Sequence, residues 1–200
     1  MVTFQVFGPF DVDCEISRRG RRALPRKVIT KEVIRKFWES VAAEHAHIAS
    51  KKGCYVFALR AGRGSMPWYV GKTEKSARTL KQEVFDREKL AKYRTILKRS
   101  RRRSPEIYLV VRSEQQGRLG RAIDDLETVL IWAAFHRNKG LLNKRKRETH
   151  PARLIRIVSS IAIAKLLNGG PGAPDAEAAS FDAMLRFRER KASTKNTASA

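Results

Sequence analysis

The sequence predicts an α/β fold of the α+β kind, a small sheet set among helices, on three observations. Two apolar runs, Cys54 to Arg60 and Trp68 to Gly71, are separated by a stretch containing Gly62, Gly64 and Pro67. A third apolar run, Ile107 to Val111, is introduced by Pro105. Around and between these runs, apolar residues recur at three- and four-residue spacing, the period of a helix with one buried face.

From the N-terminus, Val2 to Phe7 alternates and reads as a short extended piece closed by Gly8-Pro9, and a basic linker follows to about Ile29. Thr30 is a good N-cap, and Val33, Ile34, Phe37, Trp38, Val41, Ala42 and Ile48 make Lys31 to Ser50 an amphipathic helix. His45 and His47 are two apart and so on different faces, which argues against a metal pair. In the first tyrosine run Tyr55, Phe57 and Leu59 alternate with Cys54, Val56 and Ala58. Both sets are apolar, so that strand is buried on both sides. Residues 61–67 predict a hairpin connection of more than five residues, with Tyr55 and Tyr69 on neighbouring antiparallel strands.

Beyond Gly71 the pattern is helical over Lys75 to Val84 and again from Arg87 to Leu97. Leu80, Val84 and Phe85 form one apolar stripe; Leu90, Tyr93 and Leu97 form the next. The longest helical signal runs from Arg118 to Arg137, and in it Glu127 interrupts the row Ile123, Ile131, Ala134. An unpaired buried charge costs several kcal/mol, so this carboxylate must emerge at the rim of the core or be paired. Asp124 and Asp125 read as first-turn charges favoured by the helix dipole. Gly140 to Asn143 stops the helix. Pro151 to Leu167 is again helical, Asn168 to Pro174 is a linker, Ala176 to Arg190 is a short amphipathic helix, and the tail from Lys191 has a disordered composition. Two hundred residues suit one domain with extensions.

The chain has 43 Lys plus Arg against 20 Asp plus Glu, a formal charge of +23. Such an excess repels itself unless a polyanion is its usual company, and nucleic acid is the expected partner. The charge falls in blocks: Arg18 to Arg22, Lys98 to Arg103 with Arg99, Arg101, Arg102 and Arg103, and Lys144, Arg145, Lys146 and Arg147. No apolar run reaches 18 residues, so no membrane span is expected. Cys14 and Cys54 have no metal-type spacing and nothing resembles a signal peptide, so the expectation is reduced thiols in a cytoplasmic protein. Oligomeric state is open.

Gly53-Cys54-Tyr55 on one strand, Tyr69-Val70-Gly71-Lys72 on the next, a basic helix, a third strand, a helix bearing Glu127, and then Asn143 resemble, in that order, the GIY-YIG nuclease module. The resemblance covers residues 52–146. It implies a small three-stranded antiparallel sheet flanked by helices, the element order already read from the residues. The division that follows is a basic N-terminal arm and helix (1–51), the module (52–146), C-terminal helices (147–190) and a disordered tail (191–200).

The resemblance also implies a metal-dependent endonuclease, acting on DNA first of all, with one Mg²⁺ or Mn²⁺ held by Glu127. Tyr55 and Tyr69 match the motif tyrosines, either of them the base, and Asn143 matches the asparagine that secures the active-site loop. Lys72 is the cation expected to make a phenol basic, since a phenol with a free pKa near 10 takes a proton only if cations favour its charged form. Arg78 is chosen to clamp the phosphate, with Lys81 in reserve. Cys54 and Val56 depart from the family's isoleucine pattern, the connection between the tyrosines is longer than the family's turn, and the family's helical histidine or tyrosine has no clear match. The alternative is a degenerate module that binds nucleic acid without cutting it.

Overall fold

The computed structural model of the chain describes residues 4–18, 25–62, 64–73, 78–100, 102–112 and 119–149. The predicted helices at 151–167 and 176–190, the linker between them, the tail, Arg19 to Arg22 and Arg101 lie outside these residues.

Four antiparallel strands make the main sheet: β1 (Phe4–Asp11), β4 (Gly53–Ala61), β5 (Gly64–Lys72) and β6 (Ser104–Arg112), in the order β1-β6-β4-β5. Two short strands, β2 (Glu15–Ser17) and β3 (Arg26–Val28), pair separately. The mixed α and β class is therefore as expected, but the sheet has four strands rather than three. The reason lies at Gly8-Pro9, which does not close the first strand. The register skips there, from Phe7 opposite Leu109 to Phe10 opposite Ile107. One extra residue is absorbed as a bulge, and the strand changes the face it presents. Phe4 and Val6 pack in one core layer; Phe10 and Val12 pack in the other.

A second bulge corrects the hairpin. Ala61 pairs with Gly64, leaving only residues 62 and 63 between the strands, so the connection is tight rather than long. Gly64 to Pro67 belong to β5. The mismatch is taken up where Tyr69 opposes Phe57 but Pro67 opposes Ala58, with Trp68 the extra residue. Pro67 is tolerated because β5 is an edge strand.

The helices begin much as read and end differently. In α1 (Lys31–Glu44) the Thr30 hydroxyl accepts the Val33 amide at 3.2 Å, and Val33, Phe37, Trp38 and Val41 are buried. The helix stops six residues before Ser50. His45 leaves the helical conformation and lays its ring 4.8 Å from that of Phe7, and Ile48 enters the core from a separate 3-10 turn, Ile48–Ser50. A single turn, α2 (Leu80–Glu83), opens with a capping box between Thr79 and Gln82. It is followed by α3 (Arg87–Arg99), whose N-cap Asp86 accepts the Lys89 amide at 2.8 Å. The last described helix is α4 (Leu119–Arg137).

Three layers result. The even-numbered β4 residues Cys54, Val56 and Ala58 join Tyr108, Val110 and the α4 residues Ile123, Leu126 and Leu130 on one side of the sheet. The odd-numbered residues Tyr55, Phe57 and Leu59 join Ile107, Leu109 and residues of α1, α2 and α3 on the other. Both faces of β4 are covered from Gly53 to Leu59, which is why that part of the strand is apolar.

Candidate functional site

Tyr55 and Tyr69 lie on the same face of the sheet, on the side of α1 to α3, with ring centroids 6.3 Å apart. The glycine of the second motif makes this possible. Gly71 sits opposite Tyr55 across the strands, and a Cβ there would run into the Tyr55 ring and hydroxyl. Gly53 is equally constrained, since its Cβ would strike the Val110 carbonyl of β6. The Tyr55 hydroxyl is fully buried and has no hydrogen bond of good geometry. Burial pushes this phenol well above its ordinary pKa, and the neighbouring Tyr93 and Tyr69, then Glu83 and Asp86, add to the shift. Tyr69 retains 6% of its surface. Its hydroxyl accepts a hydrogen bond from Lys92 Nζ at 3.1 Å, and the same ammonium lies 4.6 Å from the ring centroid.

Glu127 is found on the opposite face. Its side chain is 14% exposed at the rim of the α4 layer and paired, with Lys146 Nζ at 2.7 Å and Lys72 Nζ at 3.3 Å. Lys72 also donates to Asp124, one turn earlier on α4. Lys72 is thus not the cation of the tyrosines, and strand geometry explains the correction. Alternate residues of a strand point to opposite faces, so Lys72 cannot share a side with Tyr69 and Gly71. Asp124 is likewise not a first-turn charge, being the sixth residue of α4. Lys146 reaches Glu127 from a left-handed backbone (φ 65°), a conformation that is uncommon for a side-chain-bearing residue.

Asn143 grips the outer edge of β5. Its Oδ1 accepts the Val70 amide at 2.9 Å and its Nδ2 donates to the Val70 carbonyl at 2.8 Å, the pairing a neighbouring strand would have made. Leu142 N–H to the Trp68 carbonyl at 2.9 Å and Asn138 Nδ2 to the Pro67 carbonyl at 2.7 Å extend the cover. Asn143 therefore fixes the strand that carries Tyr69 on one side and Lys72 on the other.

Arg78 stands on the tyrosine side, where its guanidinium meets Glu83 at 3.3 Å and Asp86 at 3.8 Å. Glu83 is 1% exposed and also pairs with Lys89 at 3.1 Å. A buried carboxylate with two cations is compensated, and it orients the half-exposed Arg78. Lys81 is exposed on α2, as are Arg99 at the end of α3 and Arg102 just beyond. Arg103 is half-buried, and its carbonyl accepts Lys27 Nζ at 2.7 Å. Lys144 and Arg145 are exposed past Asn143. Lys92 is the residue that sequence reasoning missed. It lies on a helix 23 residues from Tyr69 in sequence, and no spacing rule joins them.

Among the described residues no group of three or more His, Cys, Asp or Glu side chains is gathered to hold a metal. Two carboxylates do converge, since Lys72 Nζ sits between Asp124 and Glu127. A hard divalent cation suits the point that this ammonium occupies, and Mg²⁺ characteristically keeps one or two carboxylates and fills its remaining positions with water and phosphate oxygen. Two carboxylates, both paired with lysine, are the oxygen donors that such an ion would find there. Both cysteines are free. Cys54 is buried against α4, its thiol 3.5 Å from the Ile123 carbonyl, and burial pushes the Cys14 thiol up to about 11. Among the described residues no helix is long and apolar enough to cross a membrane. Compared with known proteins, the chain matches no family model, no curated protein and no solved structure.

Proposed function

We propose that the chain is a metal-dependent endonuclease of the GIY-YIG type, hydrolysing phosphodiester bonds in DNA with a tyrosine as general base. The observation that carries this reading is the tyrosine pair: two motif phenols ring to ring on one sheet face, the motif's own glycine bare beneath one of them, and a lysine ammonium on the hydroxyl of the other. Plain core aromatics do not require a cation on a phenol.

Of the two phenols, Tyr69 is the better base. The Tyr69 hydroxyl already meets the Lys92 ammonium and the residue keeps some surface, whereas burial raises the pKa of the fully enclosed Tyr55. In the proposed reaction Tyr69 takes a proton from water, the water oxygen bonds to phosphorus, and the bond from phosphorus to the 3′ oxygen breaks. That oxygen leaves with a proton from solvent or from Tyr69. Arg78, released from Glu83 and Asp86, clamps the phosphate, with Lys81 beside it on α2. Glu127 and Asp124 are the residues that would hold Mg²⁺ or Mn²⁺, with the Lys72 ammonium displaced from between them. When bound, the ion neutralises charge on the phosphorus and stabilises the departing oxygen. Tyr69 and Lys72 project to opposite faces of the sheet within four residues of β5, so only a phosphate at the C-terminal end of that strand could meet groups from both sides.

A second reading, a degenerate module that binds nucleic acid without cutting, is favoured by one observation. Glu127 already has two lysines on it, and a carboxylate satisfied in that way has less to offer a metal. The two readings part in one experiment with supercoiled plasmid, Mg²⁺ or Mn²⁺, and the variants Glu127→Gln and Tyr69→Phe. The nuclease reading expects nicking by the wild-type chain, reduced by at least 100-fold, on the order of a general base's contribution, in both variants while plasmid binding persists. Binding without nicking in either metal supports the second reading.

A further inference from the structure

Among the described residues, Lys27 and Arg26 of β3 and Lys98 and Leu97 of α3 line a cavity of about 190 Å³. Nothing in the nuclease chemistry above uses it. Leu97 belongs to the core and supplies a fixed apolar floor, while Arg26 and Lys98 are exposed at the rim. Among the described residues none of the three cations takes part in an ion pair. Lys27 Nζ is tied to the Arg103 carbonyl at 2.7 Å, which draws the basic segment after α3, with Arg102 and Arg103, against the same strand. Lys98 lies in the last turn of its helix, where the partial negative charge of the free carbonyls favours a cation. Three like charges around one concavity repel one another, and a polyoxyanion seated between them removes that cost while accepting hydrogen bonds from each.

We propose that the cavity between β3 and α3 is a phosphate-group site. It rests on nucleic acid being the ligand in one arm of its test and on no cutting in either. Lys98 and Lys92 lie on the same helix, six residues or about 9 Å apart along its axis. Six residues also turn the helix by about 240°, so a strand whose scissile phosphate is at Tyr69 and whose later phosphate is in the cavity crosses α3 rather than running along one face of it. The site adds affinity and register to the substrate and takes no part in bond breaking.

The test measures binding of a fluorescent 30-base-pair duplex by anisotropy in EDTA, so that no result depends on catalysis. Arg26→Gln/Lys98→Gln is compared with wild type and with Lys31→Gln/Lys36→Gln, which removes the same charge from α1; Lys27 is left in place because it holds the Arg103 segment. The cavity variant is expected to bind about 10-fold more weakly at 0.15 M salt, with the slope of log affinity against log salt reduced by about 0.9 for each phosphate that the variant no longer neutralises. The α1 variant is expected to stay within about 2-fold. A second arm titrates inorganic phosphate while following the Lys98 amide by NMR. If duplex affinity is unchanged and the amide shifts saturably in wild type alone, the site stands as one for a free phosphate. Equal weakening in both variants assigns the effect to total charge and overturns the proposal, as does no response in either arm.

Discussion

The buried Tyr55 hydroxyl has at best a poor contact with the Tyr93 hydroxyl, and a buried hydroxyl left unsatisfied costs up to about 1–3 kcal/mol. A residue kept for packing alone would be better as phenylalanine. Tyr55→Phe is therefore expected to raise stability by about 1 kcal/mol, or 2–4 °C in the thermal midpoint. A lower midpoint would show that the hydroxyl is a structural contact. Glu106 gives a second case at this scale. It is fully buried in β6, with the Arg60 guanidinium at 3.6 Å, and burial outweighs the favourable Ser65, Tyr108 and Arg60 contacts to push its pKa up. A raised carboxyl holds its proton in the folded chain after the unfolded chain has released it. The stabilisation is complete below about pH 4, the usual carboxylate range, and falls as pH rises towards the raised value. Glu106→Gln is expected to match wild type in urea unfolding at pH 4 and to exceed it at pH 7; equal midpoints at both would refute the sign. Lys72 and Lys92 mark what was readable among single residues. The face of Lys72 follows from counting alternate positions after Tyr69, whereas the Lys92 contact depends on how α3 crosses the sheet, which no local pattern encodes.

At the level of elements, β5 is an edge strand whose outer groups are bonded by the chain after α4. Covering an edge in this way prevents pairing with another chain and fixes the strand's register. Two hydrogen bonds of about 1 kcal/mol each make Asn143→Ala a loss of roughly 2 kcal/mol, and the freed Val70 amide should exchange with solvent at least 10-fold faster. Unchanged exchange at Val70 would mean that Asn143 does not hold the strand. The strands carrying the tyrosines were readable because both faces of β4 are apolar and β5 is aromatic. The bulges at Phe7/Phe10 and Phe57/Ala58 were not, since a Gly-Pro or Gly-rich stretch signals a turn as readily as it signals an extra residue inside a strand. Both errors in strand length and number trace to that ambiguity.

For the molecule as a whole, the sheet divides the candidate site. The tyrosines, Lys92 and the Arg78 cluster lie on the side of α1 to α3, and Glu127, Asp124 and Lys72 lie on the side of α4. Element order predicted which residues the fold would bring to β5, and it contained no information about which side each would take. The charge of +23 supplies affinity for a polyanion regardless of this division, so binding alone does not distinguish a nuclease from a basic binding module. Bond breaking does, and the ends it leaves identify the chemistry. The most direct measurement is to nick supercoiled plasmid with the wild-type chain in Mn²⁺ and then treat the product with DNA ligase. Attack by water with departure of the 3′ oxygen leaves a 5′ phosphate and a 3′ hydroxyl, so the account predicts metal-dependent nicks that ligase reseals, absent with Glu127→Gln. Intact plasmid in every metal, or nicks that ligase cannot close, would contradict it.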